Sequence, residues 1–314
     1  MKEPENITNQ STDQPINYHI PVMLKEATDA LNIEPGGVYV DCTFGGGGHS
    51  REILKQLDKT GKLLVFDQDE AAKKNLPDDE RIIFIQQNFR HLQRFLRLHK
   101  YPQVNGILAD LGVSSHQFDT PDRGFSTRFD AALDMRMDQR QADTAATVLN
   151  SFTEQQLHKM FERYGEVTNA KTLAKTIIEQ RAIKPFTTIN AFKQAIAPVV
   201  KGNPNKYLAQ VFQALRIEVN GEMKALEEML EQALSVLKSD GRIAVICFHS
   251  LEDRIVKNFF KNGTIGVQEQ DDVFGTRPEN PLTVITKKPV EAGPAEQKLN
   301  ARSRSAKLRV AQKK

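Results

Sequence analysis

The chain has 314 residues, 39% hydrophobic and 26% charged, with a net charge of +3 from 43 basic and 40 acidic side chains. That length suits one large domain or two ordinary ones, and the composition excludes wholesale disorder and collagen-like or coiled-coil chains. The charge excess is too small to name a nucleic-acid partner, so charge placement has to decide. Two cysteines, Cys42 and Cys247, rule out a disulfide framework and a cysteine-based zinc module. Each lies in an apolar run, as a buried reduced thiol would.

Residues 1–18 read as a polar, flexible tail without the apolar stretch of a signal peptide. No segment approaches the ~20 apolar residues needed to cross a membrane, so a cytoplasmic protein without membrane partners is expected. The first half then alternates strand and helix signals. Val38 to Asp41, Leu63 to Asp67, Ile82 to Gln86 and Gly106 to Leu111 read as strands. Ser50 to Leu57, Glu70 to Leu76 and Phe89 to His99 read as helices between them. Such alternation predicts βαβ units and a parallel sheet, with ligands bound outside the carboxyl ends of the strands.

The rhythm breaks after Gly112. Residues 113–140 are rich in Ser, Asp, Arg and Gly, and from Thr144 to Val200 the apolar spacing is helical throughout. A helical insertion over 114–213 is expected, dividing an α/β domain made of 19–113 and 214–314. Phe212 to Leu237 reads as one long helix, Asp240-Gly241 as a turn, and Arg242 to Phe248 as a fifth buried strand. Ser250 to Phe260 is a further helix, with Ser250 and Asp253 as its expected cap pair. Leu282 to Thr286 and Ala306 to Ala311 are candidate final strands, a hairpin-like pair; 262–281 and 288–304 read as loops.

The sharpest local signal is Asp41 to Ser50, DCTFGGGGHS, between a strand and a helix. Four glycines let the backbone turn tightly and approach a ligand, and the helix behind them offers unpaired N–H groups. A dinucleotide site wants a third glycine where Ser50 stands. An S-adenosylmethionine site wants an acid ending the first strand, here Asp41, whose charge suits an ammonium and a sulfonium. Asp67 ends the second strand and is placed to accept from ribose hydroxyls of either cofactor. Phe89 has two even readings, an adenine platform or a core cap. Asp110 ends the fourth strand on the same edge. His249 ends the fifth; its role stays open. The seven histidines show no metal spacing, so no metal is expected.

These residues resemble the bacterial 16S ribosomal RNA cytosine-N4 methyltransferase family. The resemblance begins at His19 to Leu24 (HIPVML) and runs through eight ordered blocks. They are DCTFGGGGHS, then Asp110 to Ser115 (DLGVSS), Arg123 to Ser126 (RGFS), Leu133 to Asp138 (LDMRMD), Tyr164 to Glu166 (YGE), Phe212 to Glu222 (FQALRIEVNGE), Phe248 to Arg254 (FHSLEDR) and Arg304 to Arg309 (RSAKLR). It implies a class I S-adenosylmethionine-dependent methyltransferase, Rossmann-like, interrupted by a helical substrate-recognition domain. It further implies that Gly47, Gly48, His49, Asp67, Phe89, Asp110 and Gln117 contact S-adenosyl-L-methionine. The implied product is N4-methylcytidine in the decoding region of 16S rRNA in the small ribosomal subunit. The family's basic stretch before Phe212 is altered, reading Asn203 to Val211 here without an arginine near position 210.

Asp110 stands where amino methyltransferases often carry an Asn/Asp-Pro-Pro-aromatic motif, and it is the candidate catalytic residue. Three basic segments are candidates for RNA contact. Lys298 to Lys314 holds seven basic residues and no acid, and Arg81 to Lys100 five and no acid; Arg123 to Arg140 holds four arginines. Two other functions compete: a nicotinamide-dependent oxidoreductase, and a noncatalytic ribosome-assembly factor retaining the cofactor pocket. The helical insertion also offers a face for a homodimer.

Overall fold

A computed structural model of the chain describes residues 21–266 and 279–314. The expected tail at 1–18, His19 and Ile20 of the HIPVML stretch, and most of the expected loop at 262–281 lie outside the described residues. Eight strands form one sheet: β1 Val38–Asp41, β2 Lys62–Phe66, β3 Ile82–Ile85, β4 Val104–Asp110, β5 Leu237–Cys247, β6 Leu282–Val284, β7 Val290–Glu291 and β8 Lys307–Lys313. Their order is β3-β2-β1-β4-β5-β8-β6, with β7 paired to β8. The first five are parallel to one another, and β8 runs antiparallel to both β5 and β6.

This parallel run with one reversed strand near its end is the class I methyltransferase arrangement. The reversal at β1, between β2 and β4, is the switch point that opens a crevice at the carboxyl edge. The strands are apolar on both faces, as a sheet covered by helices on both sides requires. Leu64, Ile107 and Val245 face one core with Met229 and Leu230, while Leu63, Leu108 and Ala244 face the other with Ile53.

The helices in chain order are α1 Leu24–Ala30, α2 Gly48–Gln56, α3 Leu92–Leu98, α4 Ser115–Asp119, α5 Ala145–Ser151, α6 Glu154–Gly165, α7 Ala170–Ile183, α8 Ile189–Ile196, α9 Pro204–Asn220, α10 Glu222–Val236, α11 Ser250–Asn262 and α12 Pro294–Leu299. From α5 to α9 they build a second core, where Leu157, Phe161, Leu173, Ile177, Phe192 and Leu215 are all buried. Thr144 and Thr153 each start a helix there through a reciprocal capping box, and Thr153 does so two residues after α5 ends.

Several boundaries differ from the sequence reading. The expected helix over Phe212 to Leu237 is two helices, because Gly221 adopts φ 58 and takes the left-handed turn between α9 and α10. The helix expected at Glu70 to Leu76 is a short 3-10 turn, and Phe89 to His91 is another before α3 begins. The Asp240-Gly241 turn sits inside β5 as an irregularity, with Asp240 at φ 63 and a shifted register against β4. The loop expected at 288–304 contains β7, α12 and a 3-10 turn.

Candidate active site

The glycine loop leaves β1 at Asp41 and returns as α2. Asp41 is buried and turned inward: one oxygen accepts from Ser50 Oγ at 2.6 Å, the other from the Thr43 N–H at 3.0 Å. It thus ties the loop to the first turn of α2. Ser50, read from sequence only as a departure from a dinucleotide pattern, is that tie. Gly45 and Gly47 take positive φ values of 49° and 72°. A Cβ at Gly47 would lie 2.9 Å from the Phe44 ring, and one at Gly48 would lie 2.0 Å from Pro21 Cγ. Gly46 faces open space, so the loop leaves a gap beside its backbone. Gly47 caps α2 without a side-chain acceptor, leaving the first N–H groups of that helix for a ligand.

Asp67 follows β2 and accepts from Gly45 N–H and Asp69 N–H, both at 2.8 Å. Burial pushes its carboxyl up to about 7, against the opposing pull of those two N–H groups. Asp69, which the sequence reading passed over, is the buried hub behind it. One oxygen of Asp69 accepts from Arg123 Nη1 at 2.6 Å and from Gln117 Nε2 at 2.9 Å. Gln117 is 4% exposed, and its carbonyl accepts from the Ser114 N–H in the capping box of α4. Its polar ends are therefore engaged within the protein, a layer behind the cleft. Arg123 also donates to the carbonyls of Arg136 and Met137, which carries the helical unit's loop onto the acid hub.

Asp110 ends β4. Its backbone N–H donates to Thr43 Oγ1 at 2.7 Å, locking it to the glycine loop. Its Oδ2 lies 3.8 Å from His49 Nδ1, and its buried Oδ1 has no hydrogen-bond partner among the described residues. Burial raises its carboxyl to about 6, although His49 pulls the other way. His49 is itself buried, with Nε2 3.0 Å from the Val22 carbonyl. It braces Asp110.

A cleft opens between the two cores, lined among others by Thr43, Gln68, Phe89, Gly112, Asn220 and Glu252. Phe89 forms part of its wall and also packs against the main core, so both readings of it meet in one place. Asn88 Nδ2 donates to Gln68 Oε1 at 2.9 Å along the same wall. Asn220 brackets the opposite wall, accepting from the Met137 N–H at 2.7 Å and donating to the Met135 carbonyl at 2.8 Å. Gln68, Asn88, Asn220 and Glu252 were not singled out from sequence. Asn220 and Glu252 fall inside two quoted blocks, so the signal was present without a role.

The cap of α11 differs from the expected pair. His249 is the N-cap, with Nδ1 accepting from the Glu252 N–H at 3.4 Å, while Glu252 Oε2 accepts from the Phe248 N–H at 2.7 Å. Ser250 lies one position inside the helix, and Asp253 pairs with Arg309 on β8 at 2.6 Å. Glu252 is buried within reach of Arg216, which is bound to Glu222 at 2.9 Å.

The residues present fit an adenosyl cofactor. A carboxylate at the end of β2 suits a ribose diol, an aromatic wall suits the adenine, and an open glycine suits close approach. An orphaned carboxylate oxygen at the end of β4 suits a cationic reacting centre. Among the described residues no group of three or more His, Cys, Asp or Glu is placed to hold a metal ion.

Sheet order and strand-end acids together define a class I S-adenosylmethionine-dependent methyltransferase. The chain belongs to the MraW methylase family, whose model matches residues 17–314. It is 51% identical over 298 residues to the ribosomal RNA small subunit methyltransferase H of Phocaeicola vulgatus, covering 95% of this chain and 98% of that one. It is 53% identical over 293 residues to the enzyme of the same name from Flavobacterium psychrophilum, covering 93% of this chain and all of the other. Among solved structures, an rRNA methylase from Streptococcus thermophilus superposes over 94% of this chain and 98% of its own, with a TM-score of 0.40 and 12% identity. No helix among the described residues is long and apolar enough to cross a membrane.

Proposed function

We propose that this enzyme methylates the N4 amine of a cytidine in the decoding region of 16S rRNA, acting on the small ribosomal subunit in the cytoplasm. The observation that carries the reading is Asp110 Oδ1, buried and unpartnered at the end of β4 beside the glycine loop. A buried acceptor without a donor costs free energy unless a ligand completes it. An exocyclic amine supplies that donor. The relatives' names support the RNA class.

In this reading Asp67 holds the ribose, Phe89 packs the adenine, and Gly47 and Gly48 allow the chain to close around the cofactor. His49 and Gln117 act behind them, bracing Asp110 and Asp69. S-adenosyl-L-methionine, when bound, supplies an electrophilic methyl group. The N4 lone pair is delocalised into the cytosine ring, so the protein's task is alignment. Asp110 accepts one amine hydrogen and turns the nitrogen toward the cofactor side of the cleft. The reacted amine then loses its extra proton to water or to Asp110. The target base has to leave its stack to reach this depth. The helical unit over 114–213 serves as the substrate-recognition domain, resting on the cofactor domain through Arg123 and Asn220.

The test is incubation with radiolabelled S-adenosyl-L-methionine and small subunits lacking the modification, followed by digestion and identification of the labelled nucleoside. N4-methylcytidine is expected. Asp110→Ala should bind the cofactor more weakly and, at saturating cofactor, lose at least a hundredfold in turnover. Label on another nucleoside, or near-normal turnover by Asp110→Ala, overturns the assignment.

A further inference from the structure

Three segments carried enough positive charge to be read as RNA contacts, and the structure separates them. Each of the four arginines from Arg123 to Arg140 has a carboxylate partner: Asp69, Asp119, Asp134 and Asp138 in turn. In the C-terminal segment, Arg302 donates to Ser115 Oγ and lies over the Phe118 ring, and Arg309 is bound to Asp253. Lys313 donates to the Leu237 carbonyl, and Lys314 pairs with Glu279. Most of that charge is used to seat β8 and the turn before it.

The segment from Arg81 to Lys100 is different. Arg81 and Arg90 are paired with Asp79 and Glu228, each at 2.6 Å. Arg94 and Arg97 are exposed and have no carboxylate partner among the described residues. They lie three positions apart on α3, on the face opposite the buried Leu92 and Leu96, and so project side by side. His91, one turn earlier, continues the stripe.

These side chains line an open groove, with Gln93 beside them and Gln232 of α10 beneath. Among the described residues no carboxylate lines it. The hydrogen bonds from the Gln93 N–H to Gln232 Oε1, at 2.9 Å, and from Gln232 Nε2 to the Arg90 carbonyl, at 2.6 Å, fix the floor. The groove starts at Arg90, the residue after Phe89 of the catalytic cleft. Its walls thus present cationic and amide donors, and its first lining residue follows directly in the chain on Phe89 of the cleft wall.

We propose that the α3–α10 groove is the track for the RNA backbone flanking the target nucleotide, with Arg94 and Arg97 each neutralising a phosphate. The inference rests on the RNA substrate proposed above and names the surface that receives it. Phosphate is favoured over a protein partner because, among the described residues, the lining offers donors without acceptor charges and Leu98 is its one apolar member. Each neutralised phosphate releases condensed counterion and steepens the salt dependence of binding by about 0.7–0.9 in log K against log salt.

The test is the full-length Arg94→Ala/Arg97→Ala double variant, titrated with unmodified small subunits from low to high salt and assayed for turnover. An unchanged melting temperature and unchanged S-adenosylhomocysteine affinity establish that the fold and cofactor site are intact. The expected result is about tenfold weaker binding at moderate salt, a slope shallower by roughly 1.4–1.8, a raised KM and an unchanged kcat. The Arg94→Lys/Arg97→Lys variant should recover most of the slope. Equal slope and KM in the double variant and the wild type overturn the proposal. So does weakened binding with an unchanged slope, which assigns the groove to a ribosomal protein. If the wild type itself neither binds nor methylates the subunits, the proposed function fails, and this inference with it.

Discussion

Asp67 shows what a single strand-end acid does in this fold. Its position after an apolar strand was legible because a parallel sheet delivers strand ends to one edge. The backbone N–H groups that hold both its oxygens were not, since they come from the glycine loop and from its own turn. Burial lifts its carboxyl from 3.8 to about 7. Between those values the folded chain keeps a proton that the unfolded chain has released. Without cofactor, this group therefore costs stability increasingly as pH rises through that window. Ligand affinity runs the other way, because an ionised carboxylate accepts from both ribose hydroxyls and a protonated one has lost an acceptor. Titration calorimetry should show S-adenosyl-L-methionine binding strengthening from pH 5.5 to pH 8, with one step near 7 from Asp67 and a lower one near 6 from Asp110. Asp67→Asn should bind more weakly and keep only the lower step. A wild-type affinity flat across this range would remove Asp67 from the ribose site.

The segment between α4 and α5 is where an element's shape depends on contacts distant in sequence. Its composition reads as irregular, and nothing local in it points to Asp69, 54 residues before Arg123. Yet this buried pair holds the whole stretch against the cofactor domain. Arg123→Ala would leave Asp69 buried with only Gln117 and a backbone N–H, and urea unfolding should show a loss of about 3–5 kcal/mol. Gly124 makes a sharper geometric test. It sits at φ 74, and a Cβ there would lie 2.5 Å from the Ala132 carbonyl oxygen. Gly124→Ala should cost about 1–3 kcal/mol through backbone strain alone. A loss under 0.5 kcal/mol in both variants would mean that the segment is not held as described. The break of the expected long helix at Gly221 belongs to the same scale. Hydrophobic spacing continues straight across it, so periodicity sees one helix where a glycine turn makes two.

At the scale of the molecule, the alternation of strands and helices made the α/β sheet legible, and the change to helical spacing after Thr144 announced a second unit. The manner of their joining was not legible, because it rests on polar contacts between residues far apart in sequence. The cleft draws Leu111 and Leu226 from one core and Met137 from the other, with Asn220 of α9 on the same wall as Met137. Asn220 also fastens the backbone at Met135 and Met137, and Arg123 fastens the same loop to Asp69. Two cores with a shared cleft should unfold as one, because opening either removes walls of the cofactor site and exposes the Arg123–Asp69 pair. Calorimetry should then give a single transition whose calorimetric and van't Hoff enthalpies agree. A hundredfold excess of S-adenosyl-L-methionine over its Kd stabilises by about 2.7 kcal/mol, which in a chain of this size moves that transition by roughly 5 °C. Phe161→Ala, in the second core and outside the cleft lining, should lower the same transition by about 3–5 kcal/mol of stability rather than split it. Two transitions, with only one responding to the cofactor, would mean that the helical unit is an independent body and that its hold on the cleft is weaker than these contacts imply.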